Sequence, residues 1–410
     1  LPAPDAVSRQ GGAGGMSLKV LQLSDVHLDS QFRSPKLRFT EDKRKQRRVE
    51  IRQSLENAFL AAQERNVELV LIPGDLWDSE VVDASTVVFL GELFRRFPIP
   101  VFISPGNHDY FSSNSPYDPA YLDKLGLRRW PESVHVFSRE EFTSVPVPGR
   151  ADASITGQCF RQNVRTDQRL LISGGISKPA TPISVLMFHG SRIGYEAGKD
   201  FITAPFADGE LLILEFSYAA LGHYHSFSTI EDPYKMIRGS YAGSLIGLGL
   251  GEAGRHGAQI LEITPTGVPQ NGIERLILDN RQVFSISVDI TGLESFEQIT
   301  NRILSEFEKR AVDRQDIVYL QVQGQIAHGL ELDFSDRPFE KCCWHLSLDV
   351  TVSPDYDLTL LSQGDSVEAR FIREMQQHID AGADEAYRDA LYYGLDALKH
   401  KKLLNRGAHS

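Results

Sequence analysis

An α/β fold spread over more than one domain is what this sequence predicts, on three observations. Short, continuously apolar segments, "LKVLQLS", "VELVLIPG", "IPVFISPG" and "ISVLMFHG", recur along its first half. Longer segments with helical spacing separate them, and each apolar segment runs into a polar cluster. Strands that are apolar without alternation are buried on both faces, so their sheet must be covered on each side, as in α/β layer architectures.

The elements follow in order. Residues 1–17, "LPAPDAVSRQGGAGGMS", are rich in Pro, Gly and small side chains and read as a flexible lead-in, with Met16 a candidate start. Between the first two strands, Ile51, Leu55, Ala58, Phe59 and Ala62 fall on one helical face, behind a basic run from Lys43 to Arg48. The strands end in Asp25 and His27, then Asp75, then Asn107 and His108, then His189. Open α/β sheets place their sites beyond the carboxyl ends of strands, so these clusters are expected to converge.

From about residue 280 the texture changes to a strand-like "VFSISVDI", a helix-like "SFEQITNRILSEFEKRA" and two further strands. That pattern predicts a catalytic domain over 18–279 and a small α+β domain over 280–353. Val367, Phe371, Met375 and Ile379, then Tyr387, Leu391, Leu395 and Leu398, recur at helical spacing and predict a helical pair over 364–405. The pair either packs on its own domain or presents an apolar stripe to a partner.

Composition narrows the function. At 41% hydrophobic and 24% charged, with no apolar run near the ~20 residues a membrane span needs, the chain reads as a cytoplasmic protein without membrane attachment. Its three cysteines form no CxxC pair, which argues against a disulfide framework or a zinc knuckle. A formal net charge of -12 argues against tight nucleic-acid binding by surface charge alone, but a metal site would bring its own positive charge.

In chain order the polar clusters are Asp25-x-His27, Gly74-Asp75 with Asp78, Gly106-Asn107-His108-Asp109, His189-Gly190 and Gly222-His223-Tyr224-His225. Carboxylates, an amide and several imidazoles make a mixed oxygen and nitrogen shell suited to divalent cations. The five blocks resemble those of the calcineurin-like metallophosphoesterases, D-x-H, G-D, G-N-H-D/E, H and G-H-x-H, and the resemblance implies two divalent cations roughly 3.5–4 Å apart that assist in-line attack on a phosphodiester. The resemblance implies a β-sandwich core flanked by helices (α/β/β/α). It implies one metal held by Asp25, His27 and His225, a second held by Asn107, His189 and His223, and Asp75 bridging them. It makes His108 a catalytic non-ligand histidine that stabilises the pentacovalent phosphorus or protonates the leaving oxygen, and Asp78 a carboxylate set against it. Asp109 is expected to hold its loop. Manganese is the expected metal, with iron or zinc as alternatives.

Finer features, "LSDVHLDSQFR" with the basic helix after it, "IPGDLWDSE", "SPGNHDY" and "LGHYHSFSTI" with "YAGSLIGLGLGE", resemble bacterial DNA-repair exonucleases of the SbcD type and their YhaO-like relatives over roughly residues 18–265. That likeness implies a DNA nuclease with a capping domain near 280–352, terminal helices that dock an SMC-like coiled-coil ATPase, and homodimers in some relatives. The basic run offers Arg44, Arg47 and Arg48 as phosphate contacts, against a solvated helix face, and the likeness offers Tyr241 as a substrate contact, against a turn for the glycine-rich "GSLIGLGLGEAG". Two other functions fit the blocks: a phosphatase or small-nucleotide phosphodiesterase, and a regulatory scaffold subunit of an ATPase complex. His135, His256, His328, His345 and His378 lack ligand spacing and read as structural or surface residues.

Overall fold

The computed structural model describes residues 16–79, 82–163, 168–173, 175–195, 202–327, 330–335, 337–382 and 385–400. His328, most of the predicted lead-in and residues 401–405 of the helical pair lie outside them. The chain divides into two compact units, one built from residues up to Arg33 with Phe39–Asn280, the other from Ser34–Arg38 with the chain from Arg281 onward.

The first unit holds twelve described strands: β1 (Leu18–Gln22), β2 (Leu69–Ile72), β3 (Val101–Ile103), β4 (Val134–Val136), β5 (Thr143–Val147), β6 (Arg150–Gly157), β7 (Ile183–His189), β8 (Tyr218–Gly222), β9 (Ser228–Glu231), β10 (Ile237–Tyr241), β11 (Gly257–Ile263) and β12 (Ile273–Ile277). Its helices are α1 (Glu41–Glu64), α2 (Ala84–Arg96), α3 (Pro119–Lys124), α4 (Leu170–Ser173) and α5 (Asp208–Ile213). The strands make two six-stranded sheets, in the orders β12-β11-β1-β2-β3-β4 and β5-β6-β7-β8-β10-β9. Strands β1 to β4 run parallel in the first, and β6, β7, β8 and β10 in the second.

One apolar core lies between the sheets. Leu18, Val20, Leu69, Leu71 and Phe102 of the first pack with Ile155, Val185, Met187, Tyr218 and Ala220 of the second. Full burial of each such aliphatic side chain stabilises the fold by about 1.5–3 kcal/mol. A polar tie crosses this core at the end of β1. Gln22 donates to the carbonyls of Leu221 and Ser240 and accepts from the Tyr218 hydroxyl at 2.6 Å, so both sheets are registered to each other next to the site.

Helix α1 starts because the Thr40 hydroxyl accepts from the Lys43 amide and Glu41 and Asp42 sit at the positive end of its dipole. Ile51, Leu55, Ala58, Phe59 and Ala62 are buried as the spacing predicts, and Arg47 is buried with them.

The second unit holds a sheet in the order β13 (Val283–Asp289), β14 (Ile317–Ile326), β15 (His345–Pro354), with α6 (Phe296–Lys309) packed against it through Ile299, Ile303 and Phe307. All three strands are parallel, and α6 is the crossover from β13 to β14, a detail the strand patterns alone did not convey. Helices α7 (Leu358–Leu361), α8 (Val367–Asp380) and α9 (Glu385–His400) follow. Tyr356, Ile372, Leu391 and Leu395 form a buried cluster among them, while Val367, Tyr387 and Leu398 stay exposed. Among the described residues no helix is long and apolar enough to cross a membrane.

Candidate metal centre

The five polar blocks come together at the carboxyl ends of parallel strands from both sheets. Asp25 and His27 follow β1, Asp75 follows β2, Asn107 and His108 follow β3, His189 ends β7, and His223 and His225 follow β8. The loops are sharply bent. Asp25, His27, Asp75 and His223 have φ values of 50°, 48°, 54° and 115°, a region that side-chain-bearing residues rarely occupy and that clusters at functional sites. Gly106 is required by close approach, since a Cβ there would collide with the Asp75 carboxylate.

Asp75 stands at the centre. Its Oδ2 lies 3.3 Å from His189 Nε2 and 3.7 Å from His27 Nε2, and its Oδ1 accepts from the His108 amide at 3.0 Å. Asp25 is fully buried and accepts from the His223 amide at 3.1 Å, with His225 Nε2 4.0 Å away. His223 lies edge-on to His189, with ring centroids 5.2 Å apart.

Three imidazoles present the same nitrogen to this centre because the other is tied. Nδ1 of His27 faces the Asp78 carboxylate at 2.9 Å, Nδ1 of His189 the Pro73 carbonyl at 3.1 Å, and Nδ1 of His225 the Glu252 carboxylate at 2.9 Å. Carbonyl and ionised carboxylate oxygens only accept, so each Nδ1 carries its proton and each ring, when neutral, offers a lone pair on Nε2. Burial lowers the His225 pKa, but Glu252 and Asp25 outweigh it and raise it to about 9, so there a cation has to displace a proton.

The electrostatics fit a cation. Burial raises the Asp25 carboxyl to about 6, with His225 opposing and Asp75 adding to the rise, and burial likewise raises Asp75 to about 7. Burial holds His189 well below the ordinary histidine range and lowers His27. Buried polar atoms normally have partners, yet His27 Nε2, His189 Nε2 and Asn107 Oδ1 are buried without a hydrogen bond. Two ligands about 2.1 Å from one ion, at roughly right-angled to tetrahedral geometry, lie about 3.0–3.4 Å apart, the range of the His189–Asp75 contact. Asp25, His27 and His225 have donor atoms close enough to share one cation, as do Asp25, Asp75 and His189. When bound, divalent cations supply charge for a phosphoester's oxygens and acidify water.

Around this centre the chain supplies orientation. Asp109 is buried and accepts from the amides of Asp75, Leu76 and Gly106 and from the Tyr117 hydroxyl, which holds the β2 and β3 loops together. His108 is the accessible member, with 41% of its side chain exposed, and its Nδ1 donates to the Asp78 carbonyl at 3.2 Å. Burial works to lower the His108 pKa, but the charge on Asp75 and the Asp78 carbonyl outweigh it and the net direction is upward.

The Asp78 carboxylate serves both histidines: it bonds His27 Nδ1 at 2.9 Å, lies 3.8 Å from His108 Nδ1 and helps to raise the His108 pKa, while its main-chain carbonyl accepts from His108. Two expectations need correction. Arg47 has no exposed surface; its guanidinium grips Asp279 at 3.0 Å through two nitrogens and also bonds Glu50 and the Gly247 carbonyl, which removes it from any substrate-facing set. Tyr241 is equally buried, its hydroxyl donating to the Gly190 carbonyl at 2.7 Å. Arg44 bonds the Phe39 carbonyl, and Arg48 is partly exposed beside Glu41.

Glu252 was missed. It sits in the glycine-rich segment, where a lone carboxylate carries no spacing signal, and only the fold brings it to His225. His256 supports the same loop, within 2.9 Å of the Ser244 hydroxyl and 2.8 Å of the Glu252 carbonyl, and is structural as expected.

The chain is 27% identical to the uncharacterized metallophosphoesterase YhaO of Bacillus subtilis, over 60% of this chain and 58% of that protein. It is 26% identical to the DNA double-strand break repair protein Mre11 of Archaeoglobus fulgidus, over 61% and 59%. The chain thus spans less than two thirds of the length of these relatives. A dimetal phosphatase from Danio rerio superposes with a TM-score of 0.36 at 12% identity, over 63% of this chain and 96% of that one, too loosely to carry weight. Residues 18–227, just over half of the chain, match the calcineurin-like phosphoesterases, and with the metal-ready cluster at their strand ends they make this chain a member of that metal-dependent phosphoesterase family.

Proposed function

We propose that this chain is a two-metal phosphodiesterase that cuts DNA, with manganese at both positions and an SMC-like ATPase as its partner. Asp25, His27 and His225 would hold one ion and Asn107, His189 and His223 the other, with Asp75 shared between the two sets. His108, accessible and held by the Asp78 carbonyl, stabilises the transferring phosphorus or delivers a proton to the leaving oxygen.

The observation that supports a polymeric substrate is the row of cations Lys45, Arg48 and Arg52 at helical spacing along α1, which lines a cleft together with Asp29, two residues beyond His27, and Ser79, next to Asp78. Cations on one helix face gain affinity for a phosphate backbone by counterion release. The likeness to Mre11 supports the same reading, and the exposed Val367, Tyr387 and Leu398 of α8 and α9 support a docking role for the terminal helices. The assay is manganese-dependent cleavage of end-labelled single- and double-stranded DNA beside bis-p-nitrophenyl phosphate, with and without the ATPase. Cleavage of DNA by the wild type is expected. Turnover of the small ester with both DNAs left intact in every arm would move the substrate to nucleotides or phosphoproteins.

A further inference from the structure

Of the three tied imidazoles, His225 is held by a residue outside the five blocks. Glu252 lies in the connection between β10 and β11, 27 residues beyond His225. One of its oxygens meets His225 Nδ1 at 2.9 Å; the other accepts from the Leu248 amide at 2.9 Å and from the Ser244 hydroxyl at 3.3 Å. The loop that carries it is pinned from outside the site. Gly247 donates to Asp279 and its carbonyl accepts from Arg47, so α1 and the chain after β12 both clamp the segment.

We propose that Glu252 is a positioning residue of the metal centre: its carboxylate fixes the His225 imidazole with Nε2 turned toward Asp25, and the hold on one of the two cations depends on it. This rests on the reading of His225 as a metal ligand. The physical reason is that a carboxylate accepting from Nδ1–H selects the tautomer, freezes ring rotation and makes Nε2 a better donor, effects that typically change metal affinity 10–100-fold. A carboxylate that merely braced its loop would have no need to spend one oxygen on the histidine, since the Leu248 and Ser244 bonds already do that work.

The test is a manganese titration of the whole chain, followed by electron paramagnetic resonance, for wild type, Glu252→Ala, Glu252→Gln and His225→Ala, with the melting temperature of each metal-free protein measured alongside. Wild type is expected to bind two ions. Glu252→Ala should weaken one site about 10–100-fold and spare the other. Glu252→Gln, which keeps an oxygen for Nδ1–H but loses the charge, should fall between them and covers the case in which the alanine variant does not fold. If His225→Ala binds both ions as wild type does, the ligand reading itself is wrong. If His225→Ala loses a site while both folded Glu252 variants keep wild-type affinities, the positioning role is wrong even where the melting temperature drops.

Discussion

Replacing Arg47 with methionine keeps most of the side chain's buried stem and removes its charge. In the wild type the guanidinium is fully buried, with contacts of 3.0 Å to both Asp279 oxygens, 2.8 Å to Glu50 and 2.8 Å to the Gly247 carbonyl. The variant leaves the Asp279 side chain, only 1% exposed, in the interior without its bidentate cation. Breaking one half of a buried pair costs about 3–5 kcal/mol. For a unit of this size each kcal/mol moves the melting temperature by about 2–4 °C, so a fall of roughly 6–20 °C is expected. Arg48→Met is the control, because that residue is 25% exposed beside Glu41 and a surface pair contributes about 0–1 kcal/mol. Calorimetry of the two variants and of the Arg47→Met/Asp279→Leu double variant supplies the numbers. Partial recovery in the double variant is expected, since apolar replacement of both charged partners is often neutral but the Gly247 amide and carbonyl lose their bonds to the pair. Equal, small shifts for Arg47→Met and Arg48→Met would refute the buried clamp.

Other outcomes follow from the site. His108→Ala should lose about 10²–10⁴-fold in turnover of DNA while binding manganese as wild type does, with a smaller loss on bis-p-nitrophenyl phosphate, whose leaving group needs no proton. Equal losses on both substrates would remove the proton-donor role. Saturating manganese should stabilise the protein against heat by about 2.7 kcal/mol for each site filled at 100 times its dissociation constant, and a chelator should reverse it; unchanged melting under both conditions would contradict binding at the buried cluster. Cys159 is 1% exposed and burial pushes its thiol up to about 12, so at pH 8 it should resist iodoacetamide until the protein unfolds, as peptide mapping would show.

The sequence revealed those parts of the molecule that repeat a local rule. Apolar runs ending in Asp, His and Asn located the strand ends, and the two sheets then bring these residues together because parallel strands place all their carboxyl ends on one side. Arg47 was legible in principle: it lies four residues before Ile51 and eight before Leu55, on the buried face of α1, but a run of basic residues masks which of them turns inward. What makes its burial tolerable, Asp279, lies 232 residues away and has no local signal. Glu252 was hidden for the same reason. Asp78 was found by position beside His108, but its shorter contact with His27 was not, because spacing does not show that one carboxylate stands between two histidines. The parallel order of the small sheet followed from a crossover helix whose direction no strand pattern encodes.

The most direct test of the proposed two-metal centre is a crystal structure of the protein soaked in manganese, with anomalous scattering measured at the metal edge. Two peaks roughly 3.5–4 Å apart, one on each side of the Asp75 carboxylate and within about 2.0–2.3 Å of His27 Nε2 and His189 Nε2, are expected. A single peak, or peaks away from Asp75 with both Nε2 atoms unligated, would contradict the account.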